Sequence, residues 1–213
     1  MARSELLFRF LVFFIGIIVL AFGIALIIEA DLGVSAWDVL HIGLFYTFGL
    51  TIGTWSIIVG LLIVVITLLL DREMVAIGTI LNMFFVGIFI DIFLYILPTS
   101  STGIFQYSLL LLGITISGMG AGLYITAKIG SGPRDGLMLV LAKRLGYSIG
   151  KIKTIMEIMA VILGFLLGGP VFWGTIISAV LIGPIMQFSL KWWDQALKPV
   201  FAVVKTKEAE TMQ

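Results

Sequence analysis

Six long apolar runs alternate with short polar breaks along the chain, at about 6–29, 53–70, 74–97, 103–127, 149–167 and 171–190. A helix needs about 20 apolar residues to cross a hydrocarbon core of roughly 30 Å, so each run reads as a membrane-spanning helix. The breaks carry turn chemistry. Asp71-Arg72-Glu73 is a charged turn, while Pro98-Thr99-Ser100-Ser101-Thr102-Gly103 and Gly168-Gly169-Pro170 are clusters of helix breakers. Two further apolar segments, 34–48 and 131–145, are shorter, carry charges and are flanked by glycines. Fifteen helical residues reach only roughly 22 Å at about 1.5 Å per residue. These segments read as re-entrant or broken helices.

The first run holds 19 uncharged residues, Phe10 to Ile28, with no small-residue cleavage site after it. It reads as an uncleaved span that doubles as a signal anchor.

Composition agrees with this pattern. The 213 residues are 61% hydrophobic and 12% charged, half the roughly 25% charged content of a soluble domain. That excludes a soluble enzyme, a disordered regulator and a nucleic-acid binder. There is no cysteine and one histidine, which excludes disulfides, thiolate chemistry and a multi-histidine metal site within one chain. No cofactor or metal is expected. The expected partners are the lipid bilayer and an unidentified small molecule or ion; the oligomeric state is open, a homo-oligomer included.

Charge placement orients the spans. With the N-terminus inside, and both short segments returning to the side they entered, all 13 Lys and Arg fall on the inner side. Glu29, Asp31, Asp38 and His41 fall outside. Full crossings by the short segments would move Arg72, Lys128 and Arg134 outside. The positive-inside bias therefore favours six crossings with both termini cytoplasmic.

The chain also repeats itself. At an offset of 97 residues, Gly23 matches Gly120, Ala30 Ala127, Gly33 Gly130, Asp38 Asp135, Gly49 Gly146 and Gly53 Gly150. One residue out of that register, Gly78-Thr79-Ile80 matches Gly174-Thr175-Ile176, and Gly87 matches Gly183. Each copy holds a span, a short segment and two more spans. Three crossings are an odd number, so the second copy is inverted, a hallmark of many secondary transporters. The expected fold is an all-α membrane protein with six transmembrane helices plus two short re-entrant or broken helices, built as two inverted-topology repeats. Residues 1–102 form the first repeat, 103–190 the second, and 191–213 a cytoplasmic tail.

Ala30-Asp31-Leu32-Gly33-Val34-Ser35-Ala36-Trp37-Asp38 and Ala127-Lys128-Ile129-Gly130-Ser131-Gly132-Pro133-Arg134-Asp135-Gly136 are each followed by a Gly-x-Thr/Ser-Ile-Gly stretch, at 49–53 and 146–150. In these blocks the chain resembles the YczE/YyaS/YitT family of bacterial multi-pass membrane proteins, over nearly all of residues 6–190. The resemblance implies a bacterial cytoplasmic membrane. The short tail is similar to the YczE-like branch, which has no soluble C-terminal domain.

Candidate functional residues cluster at the short segments. Asp38 and Asp135 occupy the first turn of each, after Ser35 and after Ser131-Gly132-Pro133. Ser35-x-x-Asp38 resembles a capping box, and Pro133 suits the first helical position. Each carboxylate can cap its helix, line a pathway for a cation or proton, or do both. Glu157 lies roughly 9 Å into the fifth span, where it either pairs with Lys153 or serves the pathway. Asp91 sits toward the outer end of the third span, either solvated at the interface or functional. Arg134 either follows the positive-inside rule or binds an anion. His41, one turn after Asp38 on the outer side, is either an incidental exposed histidine or half of a proton-sensing pair. Asp38 and Asp91 are expected to frame an outer vestibule, and Arg134, Asp135 and Glu157 an inner one. The expected function is a small secondary transporter that works by alternating access between its repeats. The alternative is a non-transporting membrane scaffold or assembly factor. No Ser/His/Asp constellation or H-E-x-x-H motif suggests an enzyme.

Overall fold

The computed structural model describes residues 3–72, 75–98 and 103–211, with side chains from 4 to 201. Glu73 of the expected charged turn and Thr99-Ser100-Ser101-Thr102 of the breaker cluster lie outside the described residues. The chain is an all-α membrane protein. Among the described residues it forms α1 (Arg3–Glu29), α2 (Ala36–Phe48), α3 (Ile52–Leu70), α4 (Ile77–Ile96), α5 (Ile104–Thr126), α6 (Pro133–Leu145), α7 (Ile149–Leu166) and α8 (Trp173–Thr211). The two short helices have 13 residues each, roughly 20 Å of helix.

Five helices, α1, α3, α4, α5 and the Trp173–Phe201 part of α8, are long and apolar enough to cross a membrane. Helix α7 has the expected bounds to within a residue, and its 18 residues include the charged side chains Lys151, Lys153 and Glu157. Helix α8 does not stop near 190. It continues through Pro184 and Pro199 to Thr211. Trp193 and Leu197 pack against the core around α1, Phe201 meets Phe8 edge-on at 5.3 Å, and Arg9 lies over the Phe201 ring at 4.3 Å. An apolar residue on every fourth position docks the start of the expected tail onto the first helix.

Close backbone approach fixes the relative directions of the helices. In lipid, helices associate mainly through van der Waals packing, which small residues bring to short range. A Cβ added at Gly16 would meet Tyr124, at Gly23 Ser117, at Gly113 Ile27 and at Gly120 Leu20, each within 2.8 Å. Advancing along α1 means retreating along α5, so these two helices are antiparallel. By contrast, Phe14 meets Phe85 at 4.8 Å and Phe22 meets Phe93 at 5.1 Å, so α1 and α4 run in the same direction. Gly118 abuts Ile185 and Gly122 abuts Ser189, so α5 and α8 also run in the same direction.

These contacts come in reciprocal pairs across the sequence repeat. Gly16 on Tyr124 has its counterpart in Gly113 on Ile27, and Gly23 on Ser117 in Gly120 on Leu20. Gly78 presses on Ile129 and Gly130, and its counterpart Gly174 on Leu32 and Gly33. The Leu70 carbonyl accepts a hydrogen bond from Arg144, and the matching Leu167 carbonyl accepts one from Thr47 at 3.1 Å. Asp31 and Lys128, another matched pair, both take positive φ, 51° and 56°, just beyond the ends of α1 and α5. Thr51 and Ser148 both cap the next helix through their side-chain oxygens. Matched positions of the two halves thus make reciprocal contacts, the pattern that an approximate two-fold axis between them produces.

Candidate functional site

The N-termini of α2 and α6 meet at that axis. Ser35 occupies the N-cap of α2, but its hydroxyl makes no capping bond to the backbone. It donates instead to Asp38 Oδ2 at 2.5 Å. Asp38 is 3% exposed, and its other oxygen lies 3.5 Å from His41 Nδ1. His41 is not the exposed residue its outer-side placement suggested: it is fully buried, because one turn of helix carries it inward beside Asp38. Its Nε2 lies 3.4 Å from the Arg134 guanidinium. Arginine can only donate, so this nitrogen accepts in that contact, while Nδ1 faces Asp38 without a hydrogen-bond partner. A chain of contacts therefore runs from Arg134 through His41 to Asp38 and Ser35.

On α6, Pro133 takes the first helical turn as expected, with Gly132 as the N-cap. The Gly132 backbone hydrogen-bonds the Asp135 carboxylate. The Arg134 guanidinium stacks on the Trp37 ring at 4.6 Å. Trp37 and Arg134 are equivalent positions of the two repeats, so this cation–π pair straddles the two-fold axis, with Asp38 on one side and its counterpart Asp135 on the other.

Two cavities flank the pair. One, of about 200 Å³, is bounded by Asp38, Ser56, Asn82, Tyr124, Arg134 and Asp135, with an apolar wall that includes Met83, Val86 and Ile90. A Cβ placed on Gly132 would stand 3.4 Å from both Asn82 Oδ1 and the Tyr124 hydroxyl, and 3.5 Å from Asp135 Oδ2. Absence of a side chain at Gly132 leaves these polar atoms facing open space. The second cavity, about 170 Å³, lies between Trp37, Arg134, Asp135, Lys153, Glu157 and Met186. Arg134 and Asp135 border both.

The expected outer and inner vestibules therefore share one centre. Asp38, His41, Arg134 and Asp135 come together, and Glu157 borders the second cavity while pairing with Lys153 at 3.7 Å. Ser35 takes part through Asp38, whereas Ser131 borders neither cavity. Asp91 lies elsewhere. It accepts hydrogen bonds from Thr51 Oγ1 at 2.5 Å and from the Gly53 amide at 2.8 Å, clasping the start of α3 to the end of α4. Sequence reasoning missed Trp37, Ser56, Asn82 and Tyr124, and named Lys153 only as the partner of Glu157. Asn82 and Ser56 were visible as polar residues inside apolar runs. Nothing in the sequence marked Tyr124 or Trp37, whose roles come from the way α1, α5 and the short helices cross.

The two repeats differ in how their last two helices pack. Gly53 and Gly87 bring α3 and α4 into direct backbone contact, and a Cβ on Gly53 would lie 2.0 Å from the Gly87 carbonyl oxygen. Their counterparts Gly150 and Gly183 do not touch: Gly150 faces open space, and Gly183 has its nearest neighbour, Lys153 Nζ, at 3.9 Å. Lys153, Met156 and Glu157 of α7 and Met186 of α8 line the second cavity.

Comparison with known proteins adds a family without adding an activity. The model of a family of unknown function, DUF6198, matches residues 7–191. The uncharacterized membrane protein YczE of Bacillus subtilis is 43% identical over 189 residues, covering 88% of each chain. An uncharacterized protein of Haemophilus influenzae is 34% identical over 172 residues, 81% of this chain and 78% of its own. The B. subtilis protein YyaS is 28% identical over 185 residues, 84% of this chain and 90% of its own. No solved structure matches.

Proposed function

The chain belongs to the DUF6198 family of multi-pass membrane proteins, and we propose that it is a small secondary transporter in the bacterial cytoplasmic membrane. The observation that carries this reading is the cluster of Asp38, Arg134 and Asp135, which line two cavities beside the Trp37–Arg134 pair, with His41 buried between Asp38 and Arg134. Ionisable groups at membrane depth are costly and are kept where they face a pathway.

The directions of the helices support the re-entrant reading of α2 and α6. If α2 crossed fully, α4 would be the fourth crossing and would run against α1. Parallel packing of α1 with α4, and of α5 with α8, fits three crossings per repeat. An odd count inverts the second repeat, as the antiparallel α1 and α5 also suggest. The two-fold axis then lies in the membrane plane, with the Trp37–Arg134 pair at mid-depth. The positive-inside distribution supports a cytoplasmic side for both termini.

Inequality between the repeats supports alternating access. With α3 against α4 and α7 parted from α8, the site faces the side of the second cavity. Exchange of these two arrangements between the repeats exposes it to the other side. This reading is tested in proteoliposomes by solid-supported-membrane electrophysiology and counterflow with a panel of small polar solutes. Saturable flux that is lost in Arg134→Gln with the fold intact supports it. Lack of flux for every solute, together with stable co-purification of a membrane complex, favours a scaffold instead.

A further inference from the structure

The contents of the central cavity narrow the class of ligand. Among the described residues, no carboxylate oxygen lies within 4 Å of the Arg134 guanidinium, and no basic nitrogen lies within 4 Å of the Asp135 carboxylate. Arg134 spends one contact on His41 and its face on Trp37. Asp38, in contrast, is engaged by Ser35 and His41. A third group is also unspent. Asn82 is 7% exposed, borders the cavity, and its Nδ2 donor has no hydrogen-bond partner. A buried polar group without a partner costs about 1–3 kcal/mol, so the unpartnered Asn82 amide, beside a guanidinium and a carboxylate that form no ion pair within 4 Å, points to a ligand that meets all three.

Charge matching decides among ligand classes. A monoanion would answer Arg134 and Asn82 but sit beside Asp135 and Asp38 unmatched. A monocation would answer Asp135 and leave Arg134 unmatched. A molecule carrying both charges a few bonds apart answers both, its anionic group toward Arg134 and Asn82 and its cationic group toward Asp135. The volume of about 200 Å³ corresponds to roughly six or seven waters at about 30 Å³ each, so the molecule is small. The wall of Met83, Val86 and Ile90 accepts a short apolar side group. We infer that the central cavity binds a small zwitterion, of the size and charge pattern of a short-chain amino acid or betaine. This rests on the transport reading for its direction across the membrane, and on the cavity alone for its binding.

The test is binding by the purified full-length protein in detergent, measured by isothermal titration calorimetry. The probes are glycine, L-alanine and glycine betaine against propionate and ethylammonium, which carry one charge each. At least one zwitterion is expected to bind about tenfold or more tighter than both single-charge probes. In Asp135→Asn the advantage over propionate shrinks, and in Arg134→Gln the advantage over ethylammonium shrinks. Ranking of the probes on the unmodified protein needs no variant to fold. If no zwitterion binds, or a single-charge probe binds as tightly, the inference is overturned. Zwitterion binding without flux of the same molecule in proteoliposomes upholds the ligand class and overturns the transport reading.

Discussion

Replacing Gly53 and its repeat counterpart Gly150 by alanine separates the two faces of this molecule most sharply. At Gly53 the new methyl would lie 2.0 Å from the Gly87 carbonyl oxygen and 2.6 Å from Asp91 Cγ. Ordinary contact begins at 3.4 Å, so α3 and α4 must part by about 1.4 Å. Both obstacles are fixed: one is backbone, and the other is a carboxylate held by two hydrogen bonds. Overpacking of this kind costs about 1–3 kcal/mol. At Gly150 the methyl meets nothing within 4 Å, and helix propensity favours alanine there by up to about 1 kcal/mol. Gly53→Ala therefore weakens the arrangement seen here by a factor of about 5–150, whereas Gly150→Ala preserves it and obstructs closure of α7 on α8. The assay is labelling of a single cysteine at Ser56, a cavity-lining position on α3, by a membrane-impermeant maleimide from the outer side. Gly53→Ala should speed that labelling by a factor in the same range, and Gly150→Ala should leave it unchanged or slow it. Equal effects of the two substitutions on labelling and on thermal stability would refute the reasoning.

Other consequences are more local. Asp91→Ala removes both bonds of the clasp, each worth about 1.5–3 kcal/mol for a charged acceptor, and should lower the unfolding temperature while leaving zwitterion binding within a few-fold in calorimetry. Gly132→Ala inserts a methyl at contact distance from Asn82, Tyr124 and Asp135, so it should fold normally and bind the zwitterionic probe several-fold more weakly. Arg9→Ala forfeits the bond to the Ala127 carbonyl and the stacking on Phe201, together about 1–3 kcal/mol; limited proteolysis should then cut the end of α8 faster. Single cysteines at the exposed positions Asp31 and Gly49 should both label from outside, and those at Lys128 and Tyr147 both from inside. Labelling of either pair from opposite sides would mean that the short helix between them crosses the membrane.

Much of the fold was legible because membranes write strong signals. Apolar runs, breakers and the 97-residue offset placed the starts of all eight helices, and the ends of all but the last, near those observed, including the short pair. The end of α8 was less legible. Trp193, Leu197 and Phe201 read as a tail because lysines interleave them, and only the surface of α1 supplies the partner that keeps them helical. The site was legible in part. Asp38 and Asp135 stood out through the repeat, but their separation by 97 residues suggested two vestibules where packing makes one. The inward turn of His41 and the stacking of Arg134 on Trp37 depend on how the two short helices meet end to end. No local pattern encodes that. Asp91 read as either solvated at the interface or functional, because its partners Thr51 and Gly53 are supplied by the start of a different helix.

In the transport reading, the two repeats exchange a packed and a parted arrangement around one site. The chain contains no cysteine, so a Gly150→Cys, Gly183→Cys variant reports on α7 and α8 alone. These positions do not touch in the present arrangement, while their counterparts Gly53 and Gly87 do. The account predicts that in proteoliposomes the pair forms a disulfide under mild oxidant, that its formation is faster when flux is driven, and that reduction restores the flux it blocks. Persistent absence of the cross-link in active vesicles, or a cross-link that leaves flux intact, would contradict it.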